Sequence, residues 1–242
     1  MKLATKRLAT TIAALVLASG LGAGAAWLAW SQQVPRLSVA LYAQNRIVAI
    51  QVHLDEARPG YVLIAGDSHA ELQSGAERVC GAETVSAGIS GATARGYADL
   101  LARLTFPTRP SAAVLTIGTN DIARKRDPTD AGAAAFEAAV LGLVARLKAL
   151  ADTVVVTAVP PIGPEAAVRL DAAAVGDYSA RIRALCQRAG CTYADPFAEL
   201  RAGDTGFARA GALRDGLHLA RYRPVLRALA PALCSGRGAD SP

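Results

Sequence analysis

A chain of 242 residues, 52% hydrophobic and 19% charged, suffices for one well-filled core with a short appendage. Its formal net charge of +6 is carried by scattered arginines among few aromatics, which excludes a nucleic-acid-binding stripe and suits anionic neighbours such as lipid head groups or acidic glycans.

The first thirty residues read as an export signal. Lys2, Lys6 and Arg7 precede the uncharged stretch Leu8 to Trp30, which is long enough to span a hydrocarbon core with its basic flank on the cytoplasmic side. The small residues Ala23 to Ala25 also fit a cleavage site, so both a signal anchor and a cleaved signal peptide stand as readings. Either one exports the folded part, to the periplasm or beyond, and makes the membrane a partner of the N-terminal segment. Cys80, Cys186, Cys191 and Cys234 form an even set suited to an oxidising compartment. The small loop closed by "CQRAGC" favours Cys186 with Cys191 and leaves Cys80 for Cys234. No Cys-x-x-Cys spacing is present and the other metal ligands are not clustered, which argues against zinc.

Residues 31–60 have mixed helical spacing and predict a membrane-proximal helix or stalk, ended by "RPG". From Tyr61 onward strand and helix patterns alternate. "YVLIA" precedes a short helix; "ETVSAG" precedes "TARGYADLLARL"; "AAVLTIG" precedes a long helix from Ala131 to Ala151. "TVVVTAV" precedes a helix from about Glu165 to Ala189, and "CTYAD" leads to a last helix from Arg221 to Leu233. These strands are apolar on both faces, as a parallel sheet covered by helices on both sides requires. The expected architecture is a three-layer α/β/α doubly wound sheet over residues 61–236, preceded by an apolar helix in residues 1–30 and followed by a tail, 237–242.

In such a sheet the carboxyl ends of the strands share one rim, where ligands bind. Four stretches converge on that rim in the expected fold. The first strand ends in Gly66-Asp67-Ser68, the second in the glycine-rich "SAGISGATA", the third in "IGTND", and "RDGLHLA" sets Asp215 three residues before His218. A serine hydroxyl becomes a nucleophile when a histidine takes its proton and a carboxylate fixes the histidine's tautomer; Ser68, His218 and Asp215 supply these types. Acyl transfer also builds charge on the carbonyl oxygen, for which the N–H groups of Ser68 and Gly91 and the amide of Asn120 are candidate donors. Plainer roles exist for each residue taken singly: Ser68 as a helix cap, Asp67, Asn120 and Asp121 as turn formers, His218 as a solvated loop group. Arg124, Lys125 and Arg126 read first as a solvated charge run and second as an anion-binding patch.

The blocks "GDSHA", "ISGATA", "GTND" and "DGLH" resemble, in order and spacing, those of the GDSL-type hydrolases, the SGNH superfamily, over about Tyr61 to Leu233. The resemblance implies a flavodoxin-like fold, no metal or organic cofactor, and a serine ester mechanism with Ser68 as nucleophile, Gly91 and Asn120 as oxyanion donors, His218 as base and Asp215 as its orienting acid. Many members have leucine where this chain has His69, a form similar to the domains of bacterial surface-glycan acyltransferases. His69 is expected to point away from Ser68, as a structural or substrate-contact residue. Gly88 is an alternative to Gly91 in the glycine block. The function implied is an exported serine esterase or acyltransferase, first for small acyl groups such as acetyl on a glycan. A lysophospholipase or thioesterase is the second reading, and a non-catalytic glycan-binding module the third.

Overall fold

The structure, a computed structural model, describes residues 22–30, 41–73, 78–124 and 130–235. Residues 8–21 of the apolar stretch, residues 31–40 of the expected stalk, Lys125 and Arg126 of the charge run, and the 237–242 tail lie outside them. The chain divides into two units, Met1–Asn45 and Arg46–Pro242. In the first, residues 22–30 form a helix containing both tryptophans. Among the described residues no helix is long and apolar enough to cross a membrane.

In the second unit five parallel strands, β1 (Val62–Gly66), β2 (Thr84–Gly88), β3 (Ala112–Thr116), β4 (Thr153–Thr157) and β5 (Thr192–Ala194), lie in the order β2-β1-β3-β4-β5. The central strands β1 and β3 are buried at every position, which accounts for their unbroken apolar sequence. Within this unit, helix α1 (41–56) buries Ile47, Ile50 and Leu54.

Helices α2 (Ser68–Leu72), α3 (Ala94–Leu101), α4 (Asp130–Leu150), α5 (Ala172–Ala189) and α6 (Arg223–Cys234) complete the unit. Side chains alternate across each strand. Val62, Ile64, Ala112 and Val114 pack with Leu226, Leu229 and Leu233 of α6, while Leu63, Ala65, Ala113 and Leu115 bury the opposite face. On that face α4 packs against both α3 and α5. Helix α5 starts later than expected: Pro164–Val168 forms a separate 3-10 turn, and the Asp171 side chain caps α5 by accepting the Ala173 N–H at 3.1 Å. Cys80 pairs with Cys234 and Cys186 with Cys191.

Register fixes where the strands deliver their loops. Gly66 lies beside Gly88 of β2 and Thr116 of β3. Three strand ends therefore reach one rim in step, at the point where the strand order reverses between β1 and β3.

Candidate active site

Ser68 is the first residue of α2 and is 6% exposed. The capping role belongs to its neighbour: Asp67 Oδ1 accepts the His69 N–H at 2.9 Å. The Ser68 hydroxyl is thereby not used as the cap, and its own N–H, in the first helical turn, has no intrahelical acceptor.

At the end of β2 the two candidate glycines separate by physics. A Cβ on Gly88 would collide with the backbone of Ala70 and Glu71, so Gly88 is there to let α2 approach the sheet. Gly91 has open space around it but a φ of +78°, so its glycine serves a left-handed turn. Glu71 braces this turn: its Oε2 accepts both the N–H and the hydroxyl of Ser90, at 2.7 and 2.8 Å. Arg46 of α1 donates to the carbonyls of Gly88 at 2.9 Å and Ser86 at 3.1 Å, with Glu71 Oε1 3.8 Å from its Nε. Arg46, Glu71 and Ser90 were not among the residues expected from the sequence.

At the end of β3, Asn120 Nδ2 donates to the carbonyl of Ala92 at 3.0 Å, which brings the amide beside the Gly91 turn. Asp121 accepts the Ala94 N–H with both oxygens, at 3.0 and 3.2 Å, and so fastens the start of α3 to the same loop. Arg124 donates to the carbonyl of Ala167 at 2.8 Å.

The fourth stretch arrives from the far end of the chain. Asp215 accepts the backbone N–H groups of Leu217 and His218 through Oδ1, at 3.1 and 2.7 Å, and its Oδ2 lies 2.8 Å from His218 Nδ1. The loop is closed by Arg214 N–H donating to the His218 carbonyl and anchored by Gly163 N–H donating to the Gly216 carbonyl. His218 Nε2 then lies 3.0 Å from Ser68 Oγ. The bonds from His218 hold the Asp215 carboxyl at about 2. Burial acts oppositely on two other groups: it pushes the Asp67 carboxyl up to about 7 and pulls His69 down to about 3.

His69 is buried, which leaves it no surface to offer a substrate, and its ring centroid is 5.6 Å from that of His218.

The family model of the GDSL-like Lipase/Acylhydrolase family matches residues 63–221. No curated protein matches the chain in sequence. Among solved structures it is similar to a Streptococcus pneumonia protein described as a candidate platelet activating factor, with a TM-score of 0.68 and 19% identity over 85% of this chain and 99% of that one. It is similar to a catalytic mutant of Axe2, an acetylxylan esterase from Geobacillus stearothermophilus, with a TM-score of 0.55 and 16% identity over 73% and 95% of the two chains. The lipase/acylhydrolase from Enterococcus faecalis gives a TM-score of 0.55 at 15% identity, covering 72% and 96%. At these identities the solved structures share its fold, whereas the family model spans well over half the sequence and includes all four rim stretches. The chain belongs to the GDSL-like lipase/acylhydrolase family, the SGNH hydrolases.

Proposed function

We propose that the protein is an extracytoplasmic serine esterase that removes small acyl groups, acetyl first among them, from a glycan. Ser68 Oγ attacks the ester carbonyl while His218 Nε2 takes its proton; Asp215 keeps the other imidazole proton on Nδ1 and steadies the imidazolium. The N–H groups of Ser68 and Gly91 and the Asn120 amide hold the oxyanion of the tetrahedral intermediate. Its collapse expels the sugar hydroxyl, which receives the proton from His218. The acyl group on Ser68 then passes to water, or to a second hydroxyl in a transferase. No metal or organic cofactor enters any of these steps.

The observation that carries this reading is the 3.0 Å separation of Ser68 Oγ and His218 Nε2 across 150 residues of sequence. For the substrate, a groove of about 530 Å³ beside Asp215 is lined in part by Glu165, Arg209 and Arg214, side chains suited to hydroxyl-rich ligands. The acetylxylan esterase among the similar folds accords with an acetylated glycan. For the location, two disulfides and the uncharged N-terminal stretch fit export, with a membrane tether if that stretch is retained.

The test is labelling by a fluorophosphonate probe, followed by turnover of acetylated xylan and of a lysophospholipid side by side. Labelling that disappears in Ser68→Ala and faster turnover of the xylan are expected. Faster turnover of the lipid replaces the glycan reading with a lysophospholipase. A folded protein that the probe does not touch is a binding module of the same fold.

A further inference from the structure

Where many relatives carry leucine after the serine, this chain buries a histidine. His69 is 1% exposed, and its Nδ1 lies 3.2 Å from the Tyr222 hydroxyl. That hydroxyl accepts the Leu219 N–H at 3.3 Å. Leu219 directly follows His218, so two bonds through one phenol connect the residue after Ser68 to the residue after His218.

A phenol owns a single hydrogen. With its oxygen accepting from Leu219, that hydrogen serves Nδ1 in the tautomer of neutral His69 that carries its proton on Nε2, a buried atom with no hydrogen-bond partner among the described residues. Burial, with His218 nearby, holds His69 at about 3, so its ring is neutral near pH 7. Burial likewise raises Tyr222, which keeps its proton. A neutral His69 also spares the imidazolium that forms on His218 from a second positive charge 5.6 Å away.

The loop has reason to need this tie. Asp215 is half-exposed, and its bonds to Leu217 and His218 shape the loop internally without linking it to α2. Gly163 anchors it to the segment after β4, on another side.

We propose that His69 is a positioning residue: acting through Tyr222 on the Leu219 N–H, it holds the His218 loop at hydrogen-bonding distance from Ser68. The inference rests on the serine mechanism proposed above. A misplacement of about 1 Å between reacting groups can cost on the order of a hundredfold in rate.

The test uses the full chain, p-nitrophenyl acetate as substrate and a fluorophosphonate as probe. Tyr222→Phe, which removes one oxygen, and His69→Leu, which keeps bulk but no acceptor, each lower kcat by roughly tenfold to a hundredfold and leave KM within about a factor of two. His69→Asn, whose amide oxygen stands near the place of Nδ1, recovers kcat to within about threefold of the parent. A His69→Leu enzyme with parental kcat overturns the proposal. So does a His69→Asn enzyme as slow as His69→Leu at a similar melting temperature, since that is the behaviour of a residue that merely fills space. Should His69→Leu fail to fold, Tyr222→Phe decides alone, and parental kcat there is fatal. A Ser68→Ala protein that still turns over sinks the serine mechanism itself. An inactive Ser68→Ala beside fully active His69→Leu and Tyr222→Phe sinks only the positioning role.

Discussion

Asp215 grips His218 at two places, the ring nitrogen Nδ1 at 2.8 Å and the backbone N–H at 2.7 Å, so one carboxylate sets both the tautomer of the imidazole and the conformation of its loop. Asp215→Asn removes the charge and permits the wrong tautomer, and kcat is expected to fall by roughly 10³ to 10⁴. Steady-state turnover checks this, and a loss below about tenfold would give the carboxylate a purely structural role. Its pKa of about 2 lies below the ordinary carboxylate range, so the stability it adds is present above about pH 4 and lost as pH falls toward 2. Its side chain is half-exposed, so solvent screening keeps that contribution small.

Asn120 separates a turn former from an oxyanion donor. Its bond to the Ala92 carbonyl is worth about 1 kcal/mol of stability. Loss of a transition-state donor costs more, on the order of 3 kcal/mol, or about a hundredfold in kcat. Asn120→Ala is expected to show the larger effect in kcat with KM nearly unchanged. A variant that loses only melting temperature would confine the amide to holding the Gly91 turn.

Asp67 makes stability depend on pH in the direction opposite to Asp215. Its folded pKa of about 7 lies above the unfolded value, so between about pH 4 and pH 7 the folded state holds a proton that the unfolded state has released. Its contribution to stability falls as pH rises through that window. Asp67→Asn keeps the cap on the His69 N–H and removes the titration. Melting curves at pH 5 and pH 8 are expected to show the variant gaining on the parent at pH 8, by roughly 1.4 kcal/mol for each pH unit by which the folded pKa of Asp67 exceeds 5. An equal difference at both pH values would place the carboxyl near its ordinary pKa.

The two disulfides contribute unequally. The chain-entropy account assigns about 5 kcal/mol to the bridge spanning 154 residues, Cys80–Cys234, and about 2 to the one spanning five, Cys186–Cys191. Paired replacement of Cys80 and Cys234 by alanine is expected to lower the melting temperature more than paired replacement of Cys186 and Cys191. Differential scanning calorimetry checks the order, and the reverse order would assign the stabilisation to local strain or packing instead.

Much of this site was readable before any coordinates. Apolar runs in β1 and β3 announced a covered parallel sheet, and a parallel sheet delivers its strand ends to one rim, which explains why Ser68, Gly91 and Asn120 could be grouped from sequence. What stayed hidden depends on side chains from unrelated segments. Arg46 stands on a helix read as a stalk, yet it bonds residues about 40 positions later. Glu71 carried a usable signal, since a residue three places after Ser68 shares its helix face, but its target Ser90 follows from the sheet register alone. The choice between Gly88 and Gly91 required knowing that α2 crosses directly over Gly88. The start of α5 was misplaced because Pro164 and Glu165 look like a helix opening, whereas Asp171 supplies the cap.

The Cys80–Cys234 bridge closes a covalent ring that contains Gly91, Asn120, Asp215 and His218 but not Ser68. A single proteolytic cut inside that ring leaves these four residues and Ser68 linked in one molecule. A cut between Ser68 and Cys80 does the opposite, since only non-covalent contacts then retain β1 and Ser68. Resistance to nicking in the surroundings of this fold therefore hinges on a dozen residues after the serine rather than on the long loops that follow.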